Sequence, residues 1–323
     1  VHDFHPPVVK LSFFSYFPFD NSLASTHFQL AFWQQKIVTQ TSTNAAKIQK
    51  FTCRISITNN NNRMKKIALA LIVMLLANLT FAQKQFEKRT YISPKNDTLR
   101  YQVLLPLSYE SGKKFPLVIF LHGSGERSSD NMLQLKHGSR MFSNPVNMEK
   151  YPAIVLFPQC PTNGNWIKEF PKRNNQGEMD WKEHSNDSIA TPLLNVKELI
   201  EKYIAEDKVD PKRIYVVGLS MGGMGTFDLA ARYPQLFAAA IPICGGIYPP
   251  RLKDAAKQVK FRIYHGDADQ VVSSNGSRDA YLALKEFGAN VTYFEFPGVE
   301  HNSWNPAFNQ PDFFEWLFKQ KRK

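Results

Sequence analysis

The sequence predicts an α/β fold: a mostly parallel sheet with helices on both faces. Three observations carry the prediction. From Arg100 onward, short runs rich in Val, Ile, Phe and Tyr recur, several of them apolar throughout, as strands covered on both sides require. Stretches with helical start and stop signals lie between them. Two of the runs lead straight into glycine-rich turns, His122-Gly-Ser-Gly and Gly218-Leu-Ser-Met-Gly. Strands that alternate with helices are joined by crossovers, and crossovers make parallel neighbours.

The first 82 of the 323 residues are set apart from this fold. Met64-Lys65-Lys66 is a short basic start, an apolar run of about eleven residues follows, and Thr80-Phe81-Ala82 has small residues at the −3 and −1 positions. That is the pattern of a secretory signal peptide over residues 64–82, cut between Ala82 and Gln83. The run is shorter than the roughly 20 residues of a membrane span, so no stable membrane insertion is expected. Gln83 rather than a cysteine follows the cut, which gives no support to a lipid anchor there. A signal peptide belongs at a chain start, yet 63 residues precede this one. They hold two acids, Asp3 and Asp20, show no sustained period, and end in four asparagines, Asn59 to Asn62. They are expected to be an over-extended gene start, with Met64 the initiator. The rival reading is a genuine tail with residues 67–82 as a signal anchor.

The remaining part, 83–323, suits a single large α/β domain. It has 32 Lys+Arg and 26 Asp+Glu, a net charge of +6 against +12 for the whole chain. Four of the positive charges, Lys319, Lys321, Arg322 and Lys323, crowd the last five residues, so the basicity makes no case for nucleic acid. Two cysteines remain, Cys160 and Cys244. They would end strands separated by two others, roughly 14 Å apart at the usual strand spacing. A disulfide needs Cα atoms within about 7 Å, so two free thiols are expected.

In chain order, strands are expected at Tyr101–Leu105, Leu117–Leu121, Ile154–Phe157, Ile214–Val217, Ala238–Ile243, Phe261–Tyr264 and Val291–Phe296. Helices are expected from Thr191-Pro192 to about Glu206, over Gly222–Tyr233 before Pro234, over Asn275–Phe287 before Gly288, and from Gln310-Pro311 to Lys319. Residues 158–190, rich in Asn, Lys and Trp, form one long irregular stretch, and loops of that length usually carry function or disorder.

Four signals along this pattern point to chemistry. In Arg213-Ile-Tyr-Val-Val-Gly-Leu-Ser-Met-Gly-Gly a β-rich run leads into Gly218-x-Ser220-x-Gly222, and a helical pattern follows. A nucleophile on a sharp strand-to-helix turn needs small residues two before and two after it. The helix N-terminus aims its N–H groups at the anion that forms. A bare G-x-S-x-G arises by chance in many chains, and the flanking strand and helix are what give it weight. Secondly, the run Leu117–Leu121 ends in His122-Gly123-Ser124-Gly125-Glu126, where glycines let backbone approach a substrate oxygen. The backbone N–H groups of Ser124 and Met221 are the expected oxyanion donors. The plain alternative is an ordinary Gly-rich turn, and His122, which precedes the serine, reads as structural.

Thirdly, Phe261-Arg-Ile-Tyr-His-Gly is followed by Asp267-Ala-Asp269-Gln-Val-Val. Two acids compete here. Asp267 follows the strand closely and reads as a turn residue; Asp269, with Val271 and Val272 to anchor its loop, reads as the acid that orients a histidine. The preceding strand ends Pro242-Ile-Cys-Gly-Gly, with no acid. Fourthly, Phe296-Pro-Gly-Val-Glu-His301 presents a histidine on a loop after the last strand. Of the five histidines after residue 82, His301 alone follows both the serine and the acid, in the order Ser, Asp, His.

These motifs resemble the α/β-hydrolase superfamily over about residues 84–319. More narrowly, Phe120-Leu-His-Gly-Ser-Gly-Glu-Arg, Phe157-Pro-Gln-Cys-Pro followed by Trp166, Gly-Leu-Ser-Met-Gly-Gly and His-Gly-Asp-Ala-Asp resemble a group of secreted bacterial esterases. That group is described variously as predicted peptidases, phospholipase/carboxylesterase-like proteins, or relatives of feruloyl and acetylxylan esterases and polyhydroxybutyrate depolymerases. The resemblance implies an eight-stranded, mostly parallel sheet and a catalytic triad of Ser220, Asp269 and His301.

The expected activity is that of a carboxylic-ester hydrolase working through an acyl-enzyme on small-molecule or polysaccharide esters, in a periplasm or outside the cell. A serine peptidase is the alternative, and a catalytically dead binding protein a more distant one. No metal or organic cofactor is expected, since no His-Glu-x-x-His or similar spacing occurs. Trp166 and Trp304 are expected substrate contacts: Trp166 shares the long loop with Phe170 and Trp181, and Trp304 stands three residues after His301. The bland reading is that these rings only pin down a loop. Oligomeric state is not legible in the sequence.

Overall fold

The computed structural model describes residues 86–109, 113–168, 170–175, 179–181 and 188–323. The expected signal peptide and over-extended start lie outside these residues. Among the described residues ten strands follow in chain order: β1 (Glu87–Ile92), β2 (Thr98–Leu104), β3 (Phe115–Leu121), β4 (Ile154–Gln159), β5 (Lys172–Arg173), β6 (Met179–Asp180), β7 (Val209–Leu219), β8 (Ala239–Ile243), β9 (Lys260–Gly266) and β10 (Val291–Phe296). The α-helices are α1 (Ser139–Phe142), α2 (Pro145–Lys150), α3 (Thr191–Ala205), α4 (Met221–Arg232), α5 (Lys253–Ala256), α6 (Asn275–Glu286), α7 (Trp304–Phe308) and α8 (Phe313–Lys319).

Eight strands form one sheet in the order β1-β2-β4-β3-β7-β8-β9-β10. The pairs β1–β2 and β2–β4 are antiparallel, and the rest are parallel. The expected sheet is therefore present, with one strand more than the local pattern indicated. That strand is β1, Glu-Lys-Arg-Thr-Tyr-Ile, whose exposed and half-buried residues alternate at the sheet edge. A charged edge strand has no apolar run to announce it. The long stretch after β4 is not wholly irregular either: β5 and β6 pair as a small antiparallel ribbon.

The central strands are apolar on both faces because both faces are covered. Successive side chains of a strand point to opposite sides. Leu117, Ile119 and Leu121 of β3 and Ile214 and Val216 of β7 pack on one side with Leu193, Val196 and Ile200 of α3, Phe227 of α4 and Leu284 of α6. Val118, Phe120, Tyr215 and Val217 face the other way, toward Phe142 of α1, Met148 of α2 and Phe313 and Leu317 of α8. Cys160 and Cys244 are buried free thiols just beyond β4 and β8, with β3 and β7 between those strands. The parallel strands end on one side of the sheet, and their loops carry the residues singled out above. Among the described residues, no helix is long and apolar enough to cross a membrane.

Candidate active site

Ser220 sits where β7 turns into α4, with φ 54° and ψ −120°. Positive φ is rare for a residue with a side chain and persists where surrounding structure enforces it. Here the enforcement is close packing: a Cβ on Gly218 would collide with the Gly222 carbonyl, and one on Gly222 with the Leu121 carbonyl. The Ser220 N–H donates to the Ile243 carbonyl at 2.9 Å, which ties the turn to the end of β8. The hydroxyl is thereby raised at the end of the central strand.

Three side chains from separate loops meet here. Ser220 Oγ lies 2.9 Å from His301 Nε2, and His301 Nδ1 lies 2.7 Å from Asp269 Oδ2. A carboxylate only accepts, so Nδ1 carries the proton and Nε2 is free to accept from the serine. Asp269 Oδ1 accepts the N–H groups of Val271 at 2.8 Å and Val272 at 2.9 Å. These are the two valines that the sequence suggested as anchors. Burial works to raise the Asp269 pKa. Hydrogen bonds from His265, His301 and the Val272 amide outweigh it and hold the carboxyl well below the usual range. The competitor Asp267 is exposed and accepts the Gly298 N–H at 2.7 Å, which clips the acid loop to the histidine loop.

His265 was not singled out by the sequence. It ends β9 fully buried, with Nε2 at 2.9 Å from the Val272 carbonyl and 3.2 Å from Asp269 Oδ2. Both oxygens only accept, so Nε2 carries a proton. Nδ1 lies 2.7 Å from Ser277 Oγ, which in turn lies 2.9 Å from the Gly245 carbonyl oxygen. The only local signal was its place in His-Gly-Asp-Ala-Asp.

The second glycine-rich turn packs beside the elbow. His122 is buried, takes the Cys160 N–H on Nε2 at 2.9 Å and gives its Nδ1 proton to the Gly123 carbonyl at 2.6 Å. Burial lowers its pKa to about 4, so it is a neutral strut, in keeping with the structural role expected of it. Ser124 opens a 3₁₀ turn, Ser124–Glu126, and Met221 opens α4. Their amides precede the first intrahelical acceptor, as N-terminal amides do.

Trp166 corrects an expectation. It is fully buried, its Nε1 donates to the His122 carbonyl at 3.0 Å, and its ring packs against His122 and into the core. It supports the turn from behind and leaves no exposed surface for a substrate. The ring that pins the long loop from the other side is Trp181, which lies where a Cβ on Gly246 or Gly276 would be. Trp304 does border the site, with its ring 5.6 Å from that of His301.

Cys244, Asp269 and His301 bring ligand-capable atoms within 4.8 Å of one another. Their chemistry does not suit a resident metal. Asp269 and His301 already satisfy each other.

Comparison with known proteins places this geometry. The Phospholipase/Carboxylesterase family matches residues 108–312. Poly(3-hydroxyalkanoate) depolymerase C of Paucimonas lemoignei is 30% identical over 137 residues, 41% of this chain and 28% of that protein. Feruloyl esterase B of Neurospora crassa is 28% identical over 130 residues, 40% of this chain and 38% of that protein. Both relatives thus extend well beyond the matched part. Among solved structures, a thermostable esterase is 35% identical with a TM-score of 0.66, covering 75% of this chain and 64% of its own. With the eight-stranded sheet and a family match that spans most of the described residues, this chain belongs to the phospholipase/carboxylesterase family of α/β-hydrolases.

Proposed function

We propose that this protein is an exported serine esterase that cleaves carboxylic esters through an acyl-enzyme on Ser220, with feruloyl or acetyl esters of polysaccharides as its substrates. One observation carries the reading: the unbroken hydrogen-bond chain from Ser220 Oγ through His301 to Asp269, with the serine held on a strained turn. His301 Nε2 takes the serine proton as Oγ attacks the acyl carbon. The N–H groups of Ser124 and Met221 receive the oxyanion, and Asp269 Oδ2 holds the imidazolium that forms. The alcohol leaves with the proton from Nε2, and a water repeats the sequence on the acyl-enzyme.

A feruloyl esterase among the relatives supports this substrate range. The basic start and apolar run at residues 64–82 support export to a periplasm or beyond the cell. The test is a panel of p-nitrophenyl acetate, methyl ferulate and a peptide nitroanilide, run on the wild type and Ser220→Ala. Ester turnover that Ser220→Ala lowers by roughly 10⁴- to 10⁶-fold is expected. Preference for the nitroanilide would make the protein a peptidase, and an active Ser220→Ala would remove the nucleophile assignment. For export, mass spectrometry of the secreted protein should find Gln83 at its N-terminus.

A further inference from the structure

We propose that Glu126, His137 and Trp304 form a subsite for the alcohol half of the ester, and that this subsite takes a hydroxyl-bearing alcohol such as a sugar. The inference rests on the reading of Ser220 as the nucleophile.

Glu126 is a buried acid that the chemistry above does not use. It belongs to the same 3₁₀ turn as the Ser124 amide and is only 4% exposed. Carboxylates are seldom buried so deeply without close donors. Its partners are distant: Lys136 Nζ at 3.4 Å and His137 Nε2 at 3.6 Å, both on Oε1, against about 2.8 Å for a charge-assisted hydrogen bond. Burial holds the His137 pKa below the usual histidine range, so that ring does not neutralise the acid at neutral pH. No hydrogen bond reaches Oε2 among the described residues.

The direction of Oε2 gives it a role. A Cβ placed on Gly123 would lie 3.1 Å from Glu126 Oε2 and 3.6 Å from Ser220 Cβ, so carboxylate and nucleophile flank the same point. On the other side, the Trp304 ring lies 5.6 Å from His301 and 5.1 Å from His137. A wall therefore runs from the base through Trp304 and His137 to Glu126, and back to the oxyanion turn. His301 hands its proton to the leaving oxygen, so the group on that oxygen faces this wall. A carboxylate oxygen without a donor accepts hydroxyl hydrogen bonds, and an indole offers a flat apolar face to a sugar ring. An alkanol would cover Oε2 without satisfying it, and sites built for a hydroxyl discriminate on that ground.

The test measures kcat/KM for two acetate esters, an acetylated xylo-oligosaccharide and butyl acetate, on the purified protein. The wild type should favour the sugar ester. Glu126→Gln should lower the ratio of the two constants by about tenfold, mainly through KM, as expected for weakening one hydrogen bond to a charged group. Trp304→Ala should move the ratio the same way, which keeps the test open if Glu126→Gln fails to fold. A wild type that prefers butyl acetate, or a ratio that both variants leave unchanged, overturns the subsite. Ser220→Ala separates the two ideas: an inactive Ser220→Ala with an unchanged ratio removes only the subsite, whereas an active one removes the nucleophile reading beneath it.

Discussion

Asp269 Oδ2 receives two imidazoles, His301 at 2.7 Å and His265 at 3.2 Å. The first points to the serine and the second is fully buried behind the acid. With two backbone amides on Oδ1, both carboxylate oxygens are engaged. His265 reaches Asp269 and not Ser220, so it is a positioning residue. His265→Leu should lower kcat by about ten- to a hundredfold, the worth of one hydrogen bond to a charged group, with KM nearly unchanged. His265→Gln keeps an N–H donor and should recover most of the loss. Equal rates in the two variants, with melting temperature lowered in both, would make His265 a packing residue only.

The two acids of the His-Gly-Asp-Ala-Asp segment should respond differently to amide substitution. Asp269→Asn puts an N–H where His301 needs an acceptor and should cost on the order of 10⁴-fold in kcat. Asp267→Asn retains an oxygen for the Gly298 amide and should leave activity close to wild type. Steady-state kinetics on p-nitrophenyl acetate decides it, and the reverse ranking would move the acid to Asp267.

His122 makes stability depend on pH. Its folded pKa, about 4, lies below the roughly 6.5 of an unfolded histidine. Above about pH 6.5 the ring is neutral in both states and its contribution is fully present. As pH falls from 6.5 toward 4, the unfolded chain takes up a proton that the folded one refuses, and stability is lost. The loss should reach a few kcal/mol, to order of magnitude. His122→Gln keeps an acceptor for the Cys160 amide without the titration. Urea unfolding between pH 8 and 5 should therefore show a shallower decline for this variant, and parallel declines would refute the account.

Trp166→Ala should destabilise rather than change specificity. The ring is fully buried and hydrogen-bonded to the His122 carbonyl. Large-to-small changes of this kind cost about 3–5 kcal/mol. Thermal melting should show the loss, while KM values for methyl ferulate and p-nitrophenyl acetate keep their ratio. A changed ratio with an unchanged melting temperature would return Trp166 to the substrate pocket.

What the sequence alone determined about this protein is the part written in neighbouring residues. Gly218, Ser220 and Gly222 are readable because a strained turn depends on side-chain size within five positions. The parallel strands are readable because burial on both faces leaves an uninterrupted apolar run, and the order of Ser220, Asp269 and His301 follows from the order of those strands. Tertiary structure decided what depends on partners far along the chain. β1 is a strand because β2 supplies its hydrogen bonds, and its charged residues betray nothing of that. Trp166 and Trp304 look alike as tryptophans near motifs, yet one is driven into the core against His122 and the other is left beside His301. His265 and Glu126 acquire their roles from Asp269, His137 and the turn at Gly123, through burial that no local pattern encodes. Local backbone preference is a property of the residue and its neighbours, whereas the environment of a buried polar group is made by whichever elements the fold packs around it.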